Sequence, residues 1–235
     1  MFDKRKVITT PQKYPWSIHG YLRCVFANGT VHRGTGTMIS KNCLLTAGHC
    51  LYNEDAEEED FRLPISLTYF SGLHDNNYFL KTEYRKVFIH TAYKESNDES
   101  FDFGVVQLER DIGEQTGWAS LKTLDDKALH SLKINVTGYP VHVSPYSVLI
   151  KKPAYSMYTM EGAVELVKKH KFYYKLDTSG GQSGSGVWTL DKNGNVLCVG
   201  IHVTGSKLEG NGAVRVNEEN LETITYWLDM MRQNP

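Results

Sequence analysis

The sequence predicts an all-β protein with two six-stranded antiparallel β-barrels and one C-terminal α-helix. Short apolar and β-branched segments recur at roughly 8–12-residue intervals, which is typical of a β-sandwich or barrel. Turn dipeptides such as Asn28-Gly29 and Asn193-Gly194 separate these segments. A polar, strand-poor stretch at 113–133 divides the chain into two halves, as a linker between two cores would.

The strand pattern runs through most of the chain. The predicted strands are 18–26, 35–40, 43–46, 65–70, 86–89, 103–108, 133–139, 148–150, 171–176, 186–190, 196–203 and 214–216. Residues 161–170 have helical propensity, which strand pairing can override. Residues 217–232 predict a helix, because Asn217 suits the N-cap and apolar residues recur downstream at helical spacing.

Four parts of the chain are therefore expected. Residues 1–14 form an N-terminal segment, interpreted as a pro-peptide followed by the mature N-terminus. Residues 15–116 form the first barrel, 117–216 the second barrel, and 217–235 the C-terminal helix.

The composition is that of an ordinary soluble protein, with 40% hydrophobic and 23% charged residues among 235. The net charge of −1 gives no reason to expect nucleic acid or a membrane surface as a partner. No apolar run approaches the ~18 residues of a spanning helix, and the N-terminus lacks the apolar segment of a signal peptide. We expect a monomer without a cofactor or a metal ion.

The cysteines and one acidic stretch leave alternatives open. Cys24, Cys43, Cys50 and Cys198 contain no C-x-x-C pair, so a zinc site is not expected. Two disulfides and four thiols are both compatible with these positions. The acidic stretch 54–60 indicates a solvated loop, with a calcium site as the alternative.

The densest functional signal is the stretch 177–186, Asp-Thr-Ser-Gly-Gly-Gln-Ser-Gly-Ser-Gly. Glycines at this density are typical of a backbone that turns tightly or lies close to a ligand. Ser183 on such a turn can present its hydroxyl to a substrate, and the N–H groups of Gly181 and Ser183 can bind a developing oxyanion. Surface loops have similar composition, so a catalytic role also requires a base and an acid elsewhere in the chain.

Two other segments supply a base and an acid. His49 follows an apolar strand, and Asp102 stands between two phenylalanines at the start of another, where a carboxylate needs a hydrogen-bond partner. A histidine N–H is such a partner, and acyl transfer by serine requires a base that an acid orients. The order His49, Asp102, Ser183 is the chymotrypsin order and differs from the Ser–Asp–His order of α/β-hydrolases.

With these motifs the chain resembles the serine proteases of the chymotrypsin fold, and among them it is most similar to the bacterial glutamyl endopeptidases. The motifs that carry the resemblance lie at 35–39, 46–50, 102–104, 177–185 and 200–202. The resemblance implies a chymotrypsin-like double barrel, with His49 as general base, Asp102 as its orienting acid and Ser183 as nucleophile. It also implies protein or peptide substrates and a secreted protein.

The same resemblance implies a pocket that selects glutamate. His202 occupies the position of the histidine that recognises the substrate glutamate in glutamyl endopeptidases, since an imidazole can donate a hydrogen bond to a carboxylate. Thr178 matches a second polar residue of that pocket. A substrate would add as a strand beside Val203, Thr204 and Gly205.

The implied function is a serine endopeptidase that cleaves after glutamate and less readily after aspartate. Two alternatives stand beside it. One is a chymotrypsin-fold protease of other specificity, and the other is a catalytically idle protease-like module that binds proteins.

Three positions depart from the trypsin pattern. Gln182 replaces the aspartate that binds the new N-terminal ammonium in trypsin-like enzymes, so that activation route is not expected. Val7 follows a basic run and resembles the mature N-terminus that helps to bind substrate in some glutamyl endopeptidases, so we expect cleavage before it to raise activity. Cys50 stands at a half-cystine position whose usual partner falls on Gly34.

Overall fold

The structure is a computed structural model that describes residues 4–141, 155–206 and 210–233. The strand predicted at 148–150 lies outside the described residues. The strands are β1 Lys6–Val7, β2 His19–Phe26, β3 Val31–Met38, β4 Cys43–Thr46, β5 Pro64–Ser71, β6 Leu80–Ile89, β7 Gly104–Leu108, β8 Ser120–Leu121, β9 Lys133–Gly138, β10 Tyr158–Ala163, β11 Leu166–Val167, β12 Lys171–Tyr174, β13 Gly186–Leu190, β14 Val196–Ser206 and β15 Gly210–Arg215. The α-helices are α1 Gly48–Leu51, α2 Thr91–Ser96, α3 Gly113–Thr116, α4 Asp126–His130 and α5 Glu218–Gln233.

The first half of the chain closes into a six-stranded barrel. The strand order is β2-β3-β4-β7-β6-β5, with β5 pairing again with β2, and all neighbouring strands run antiparallel. Leu22, Leu44, Leu67 and Val106 are fully buried inside it. Closure leaves no unpaired edge, and it brings the ends of β4 and β7 side by side, where Thr46 pairs with Gly104.

The second half and the N-terminal strand β1 together form a nine-stranded sheet around a separate core. Eight strands follow the order β1-β10-β9-β13-β14-β15-β12-β11, and β8 pairs with β14 in parallel. Ile134, Phe172, Val187 and Val199 are among the buried side chains of its core. The all-β class, the barrel architecture and the C-terminal helix are confirmed.

Strand pairing overrides the helical propensity of 161–170. In the structure, β10 pairs with β9 along six consecutive positions, from Tyr158 to Ala163, and β11 pairs with β12. Each of these ladders supplies inter-strand backbone hydrogen bonds and places alternate side chains on the core. Local propensity is a weak term by comparison, a fraction of a kcal/mol per residue.

Helix α5 joins the C-terminus to the first barrel. Asn217 caps it, accepting a hydrogen bond from the backbone N–H of Asn220 at 2.9 Å. Trp227 packs on Phe88 and Phe103, with ring centroids 5.9 and 5.6 Å away. The helix therefore buries its apolar face against β6 and β7, although it follows the second half of the chain.

Among the described residues, no helix combines the length and the apolar character needed to cross a bilayer.

Candidate active site

The Ser183 loop requires its glycines for steric reasons. Gly181 and Gly184 have φ values of +91° and +85°, which side-chain-bearing residues rarely adopt. A Cβ on Gly184 would stand 2.1 Å from Thr46 Oγ1, and one on Gly181 would stand 2.4 Å from the Tyr139 carbonyl oxygen. The loop thus lies so closely against the first barrel at Gly184, and against the residues after β9 at Gly181, that only glycine fits at these two points.

Backbone hydrogen bonds from both halves of the molecule hold the loop. Thr35 on β3 donates its N–H to the Ser183 carbonyl at 2.8 Å and its hydroxyl to the Gly181 carbonyl at 2.9 Å. From the other side, Gly184 N donates to the His202 carbonyl at 2.7 Å, and His202 N donates to the Ser185 carbonyl at 2.8 Å. Ser183 is therefore located where the barrel meets the second sheet.

The carbonyls before Gly181 and Ser183 both bind protein groups. The Gly180 carbonyl accepts from Val141 N at 2.7 Å, and the Gln182 carbonyl accepts from Ser185 N at 3.0 Å. Because a peptide unit is planar and trans, the N–H of the next residue points the opposite way. The N–H groups of Gly181 and Ser183 thus point in the direction opposite to the Gly180 and Gln182 carbonyls. Neither N–H has a protein partner among the described residues.

His49 and Asp102 make a two-point contact. The imidazole Nδ1 of His49 lies 2.7 Å from Asp102 Oδ2, and the backbone N–H of His49 donates to Oδ1 at 2.8 Å. Asp102 follows a 3-10 turn at 99–101, and its side chain is only 3% exposed, so both carboxylate oxygens are satisfied without water. The geometry fixes the ring and leaves Nε2 as its other polar atom.

The environment of His49 favours the protonated imidazole. Burial by itself lowers the pKa of His49, but the neighbouring Cys50 side chain and the Asp102 carboxylate together raise it well above its usual value. A base of raised pKa is a good acceptor for a hydroxyl proton once it is itself deprotonated.

Cys50, the residue after His49, contacts the Ser183 loop and so brings His49 close to Ser183. Cys50 Sγ lies 3.7 Å from the Ser183 carbonyl oxygen, where it is placed to donate a weak hydrogen bond. The Ser183 hydroxyl and the His49 ring share no hydrogen bond in the structure, and such contacts are often long without substrate. His32, which the sequence did not single out, supports His49 from behind with Nδ1 3.0 Å from the His49 carbonyl oxygen.

His202 is buried on β14 and is 4% exposed. Its Nδ1 lies 2.8 Å from the hydroxyl of Tyr174 on β12. Burial, reinforced by the charge of His49, lowers the pKa of His202 to about 4, although a hydrogen bond with the Gly212 backbone partly offsets this. His202 is therefore a neutral imidazole at neutral pH, and burial raises the pKa of Tyr174 well above 10, so that the phenol keeps its proton.

Residues 9–221, most of the chain, match the Trypsin family. The chain belongs to the trypsin family. The resemblance to chymotrypsin-fold serine proteases is thereby confirmed, and the protein is a serine endopeptidase, a hydrolase.

Several relatives of this trypsin-family protease carry informative names. It is 25% identical over 233 residues to a glutamyl endopeptidase of Bacillus licheniformis, across 96% of this chain and 67% of that protein. It is 29% identical over 213 residues to a glutamyl endopeptidase of Staphylococcus aureus, across 85% and 57%. A Bacillus subtilis protein named extracellular metalloprotease is 26% identical over 227 residues, across 96% and 68%.

Among solved structures, a Glu endopeptidase in complex with MPD superimposes on the trypsin-family protease with a TM-score of 0.79. The two are 25% identical, and the match covers 95% of this chain and 96% of that one. In the part of the protease that the structure describes, no group of three or more His, Cys, Asp or Glu side chains is placed to hold a metal ion.

The remaining residues expected at the specificity site lie on three elements. Thr178 is half-buried in the loop before Ser183, and Val203 is buried on β14. Thr204 is half-buried, and Lys171 Nζ donates to its hydroxyl at 3.3 Å. Gly205 is exposed, as a strand that accepts a peptide would require.

Val7 lies on a different sheet edge. It is 42% exposed and pairs with Tyr158 in the β1–β10 ladder. Residues 4 and 5, immediately before β1, reach the Ser183 loop instead, a contact that the sequence did not predict.

All four cysteines of the trypsin-family protease are buried thiols. The open choice between disulfides and thiols is resolved in favour of thiols. Burial raises the pKa of Cys198 to about 12, so this thiol is neutral and unreactive at physiological pH.

Proposed function

We propose that this serine endopeptidase cleaves peptide bonds after glutamate, and less readily after aspartate, through an acyl-enzyme formed on Ser183. The observation that carries the glutamate preference is the buried, neutral imidazole of His202, which is hydrogen-bonded to Tyr174. His202 is on β14, the strand whose backbone also holds the Ser183 loop. The substrates are proteins or peptides. The chain acts as a secreted monomer, in keeping with the extracellular name of the Bacillus subtilis relative.

The proposed chemistry uses His49 twice. Ser183 Oγ attacks the carbonyl carbon of the scissile bond while His49 Nε2 accepts the hydroxyl proton. The tetrahedral oxyanion receives hydrogen bonds from the N–H groups of Gly181 and Ser183. Collapse breaks the C–N bond, and the leaving amine takes the proton from His49. Water then attacks the acyl-enzyme by the same route and releases the acid.

Asp102 supports both steps without reacting itself. Its Oδ2 accepts from His49 Nδ1, so the tautomer with a free Nε2 lone pair is the one held before reaction. When His49 becomes an imidazolium, the adjacent carboxylate stabilises the new charge.

Hydrogen-bond accounting at Tyr174 supports the pocket assignment. In the described part of the chain, His202 Nδ1 is the one acceptor within reach of the Tyr174 hydroxyl. A buried hydroxyl donates where it can, so Tyr174 donates and Nδ1 accepts. The proton of His202 is then on Nε2, and we propose that this N–H exchanges its hydrogen bond with the Gly212 backbone for one with the substrate carboxylate. We propose Thr178 as a second polar group of this pocket, the role that the resemblance to glutamyl endopeptidases implies for it.

A carboxylate beside this imidazole would also change its protonation. An adjacent negative charge favours the imidazolium, so substrate binding is expected to raise the pKa of His202 from its low value near 4. The pocket thus starts neutral, which favours entry of an apolar or acidic side chain over a cationic one, and gains charge only when a carboxylate arrives.

The test compares chromogenic peptides that end in glutamate, aspartate, lysine or phenylalanine. We expect kcat/KM to be highest for glutamate and lower for aspartate. In His202→Ala, the glutamate preference over phenylalanine should fall by more than about tenfold, the cost of a lost hydrogen bond to a charged group. Tyr174→Phe should reduce it by roughly 3- to 10-fold, since it removes one neutral hydrogen bond.

His130→Ala is the control, because His130 is exposed on α4. Equal rates for glutamate and phenylalanine peptides in the unmodified enzyme would contradict the specificity while leaving the protease intact. Stoichiometric labelling of Ser183 by a fluorophosphonate separates the enzyme from an idle binding module, because only an activated serine reacts. Absence of labelling would contradict the nucleophile.

A further inference from the structure

The N-terminal segment before β1 contacts the loop that contains the nucleophile. Arg5 Nη1 donates to Gln182 Oε1 and to Ser179 Oγ, each at 2.8 Å. Ser179 N also donates to Gln182 Oε1, at 3.1 Å. One residue earlier, Lys4 N donates to Asp177 Oδ2 at 3.1 Å. Residues 4 and 5 thus bind the loop at three points, about 175 residues along the chain.

Gln182 is a sensitive place for such a contact. It is 1% exposed, so its side-chain amide cannot use water to satisfy its polar atoms. Its Oε1 has two donors, whereas its Nε2 has no partner among the described residues. Loss of Arg5 would remove the charge-assisted member of this small set, which is the stronger kind of hydrogen bond.

The contact between Arg5 and Gln182 matters for the reaction because of where Gln182 stands in the chain. Gln182 separates Gly181 from Ser183, whose N–H groups are the proposed oxyanion donors. Because Gln182 is buried, its side chain reaches new partners only if the backbone also adjusts, so we expect loss of the Arg5 contact to move the two peptide units that flank Gln182. Since oxyanion donors act within a few tenths of an ångström of their target, such a rotation weakens stabilisation of the transition state more than substrate binding.

Arg5 is itself held by the sheet. Lys6 and Val7 pair with Thr159 and Tyr158, and Ile8 N donates to the Met157 carbonyl at 2.8 Å. Ile8 is buried in a small apolar cluster at this point. The anchor lies immediately after Arg5, so the guanidinium needs little ordering to reach the loop.

We infer that Arg5 is a positioning residue for the oxyanion loop, and that its guanidinium on Gln182 and Ser179 takes the place of the ammonium–aspartate pair that Gln182 cannot form. This inference rests on the proposed function, because it assigns Arg5 a role in the reaction at Ser183. It makes the Arg5 guanidinium part of the working enzyme, whereas the contact of Lys4 to Asp177 uses the backbone N–H and leaves the Lys4 side chain outside this role.

We call the contact of the Arg5 guanidinium with Gln182 and Ser179 the clasp. A clasp made by a guanidinium differs in its pH dependence from one made by an amine. An α-amine titrates with a pKa of about 7.7–8.0, so a clasp made by an N-terminal ammonium is lost at alkaline pH. Arginine stays protonated far above that range. Activity is therefore expected to persist at pH 9–10 without a fall near pH 8.

The experiment measures kcat, KM and the rate of fluorophosphonate labelling for the full chain and for Arg5→Gln, Arg5→Lys and Lys4→Gln. Arg5→Gln should lower kcat and the labelling rate by about tenfold or more, with about 10²–10³-fold as the ceiling set by loss of an oxyanion donor. KM should change by less than about threefold, because the lost interaction acts mainly in the transition state. Arg5→Lys should recover part of the rate.

Lys4→Gln is the matched control, since it removes the same charge one residue earlier while the contact of Lys4 to Asp177 uses the backbone. Thermal unfolding of each variant identifies any loss of fold. If the unmodified enzyme is labelled and Arg5→Gln, correctly folded, is labelled at the same rate, the inference is wrong. If the unmodified enzyme is not labelled at all, it is the proposed function that fails.

Removal of residues 1–6 supplies a second, independent arm. The clasp predicts lower kcat and slower labelling after trimming, because Arg5 is lost. Higher activity with a new alkaline limb near pH 8 would overturn the clasp and support the role expected for Val7 as a mature N-terminus.

Discussion

Gly34 lies directly against Cys50. An ideal Cβ on Gly34 would stand 3.4 Å from Cys50 Cβ and 2.5 Å from its Sγ. The first distance is close to the ~3.5–4.5 Å that separates the Cβ atoms of a disulfide. The sequence placed the missing half-cystine partner at position 34, and the structure puts that position within bonding reach of the thiol.

Gly34→Cys is therefore expected to form a disulfide with Cys50. Gly34 does not have positive φ, so the backbone conformation accepts a side chain, and bonding of the two sulfur atoms removes their clash. The Ser183 carbonyl oxygen, 3.1 Å from the added Cβ, must then move by a few tenths of an ångström. A loop of about 15 residues closed in this way stabilises a protein by about 3 kcal/mol in the chain-entropy description. Urea unfolding with and without reductant measures the gain.

Gly34→Cys combined with Cys50→Ser is the control, since it has the added side chain without a bonding partner. We expect it to be less stable than the unmodified protein, because a Cβ at position 34 then has no bond to relieve its close contact. Equal stability of the oxidised and reduced single variant would contradict the predicted bond.

Asp102→Asn is expected to lower kcat by about 10⁴-fold while leaving the fold intact. The asparagine can still accept a hydrogen bond from the His49 backbone N–H, but it lacks the negative charge that the Asp102 carboxylate places beside the imidazole. The pKa of His49 should fall, since Asp102 is one of the groups that raises it. The residual activity should therefore reach its plateau at lower pH than in the unmodified enzyme, where His49 must lose its proton above its raised pKa.

Initial rates on a glutamyl ester between pH 5 and 10 test this pair of effects. Asp111→Asn, which removes a surface carboxylate paired with Lys41, is the control and should match the unmodified enzyme. An acidic limb that stays in place after Asp102→Asn would show that Asp102 does not set the protonation of His49.

Much of the fold was predictable because it depends on local patterns. The strands 43–46 and 186–190 were predicted with the bounds that the structure has. Asn217 caps the C-terminal helix, as its side-chain chemistry indicated. These features follow from alternation, turn residues and capping, which act over a few neighbouring residues.

The parts that were not predictable depend on contacts between distant segments. The strands in 158–167 form because β9 and β12 pair with them, although residues 161–170 have helical propensity. Tyr174 gives no motif that identifies it as the partner of His202, since only the pairing of β12 and β14 through β15 brings the rings together. Arg5 in a basic N-terminal run reads as a solvated charge until the sheet places it beside Gln182.

The buried histidines should make the protein less stable in acid. The pKa is lowered to about 4 in His202 and to about 3 in His19, in both cases mainly by burial. The unfolded chain binds these protons near pH 6.5 and the folded chain does not. Stability is therefore full above pH 6.5 and falls as the pH drops toward 4, by an order of a few kcal/mol for each group.

His19→Asn tests this prediction away from the proposed substrate pocket. His19 is fully buried, with Nδ1 3.0 Å from Thr37 Oγ1, and Asn retains a polar group that can meet that hydroxyl. The free energy of unfolding from urea titrations at pH 7 and pH 5 should fall less in His19→Asn than in the unmodified protein. The exposed His130→Asn should show the full fall. An identical fall in the free energy of unfolding between pH 7 and pH 5 in all three proteins would contradict a lowered pKa of His19.

The acidic loop 54–60 should be a site of self-cleavage if the proposed specificity is right. Glu57, Glu58 and Glu59 are exposed, and exposed loop tips are preferred sites of nicking. Arg62 holds the loop closed, because its Nε donates to the Ala56 carbonyl at 3.1 Å and its own carbonyl accepts from Asn53 N at 2.9 Å. Mass spectrometry after long incubation should find new C-termini at these glutamates.

Arg62→Ala removes the side-chain half of this closure and should speed the nicking several-fold, because local opening must precede entry of a loop into an active site. Ser183→Ala, incubated alone, should remain whole, which separates self-cleavage from a contaminating protease. Ser183→Ala with a trace of active enzyme should be cut at the same bonds, since the loop is then a substrate in trans. A loop that stays intact in an enzyme that cleaves glutamyl peptides would mean that the loop does not open, and cuts after lysine or phenylalanine would contradict the glutamate pocket itself.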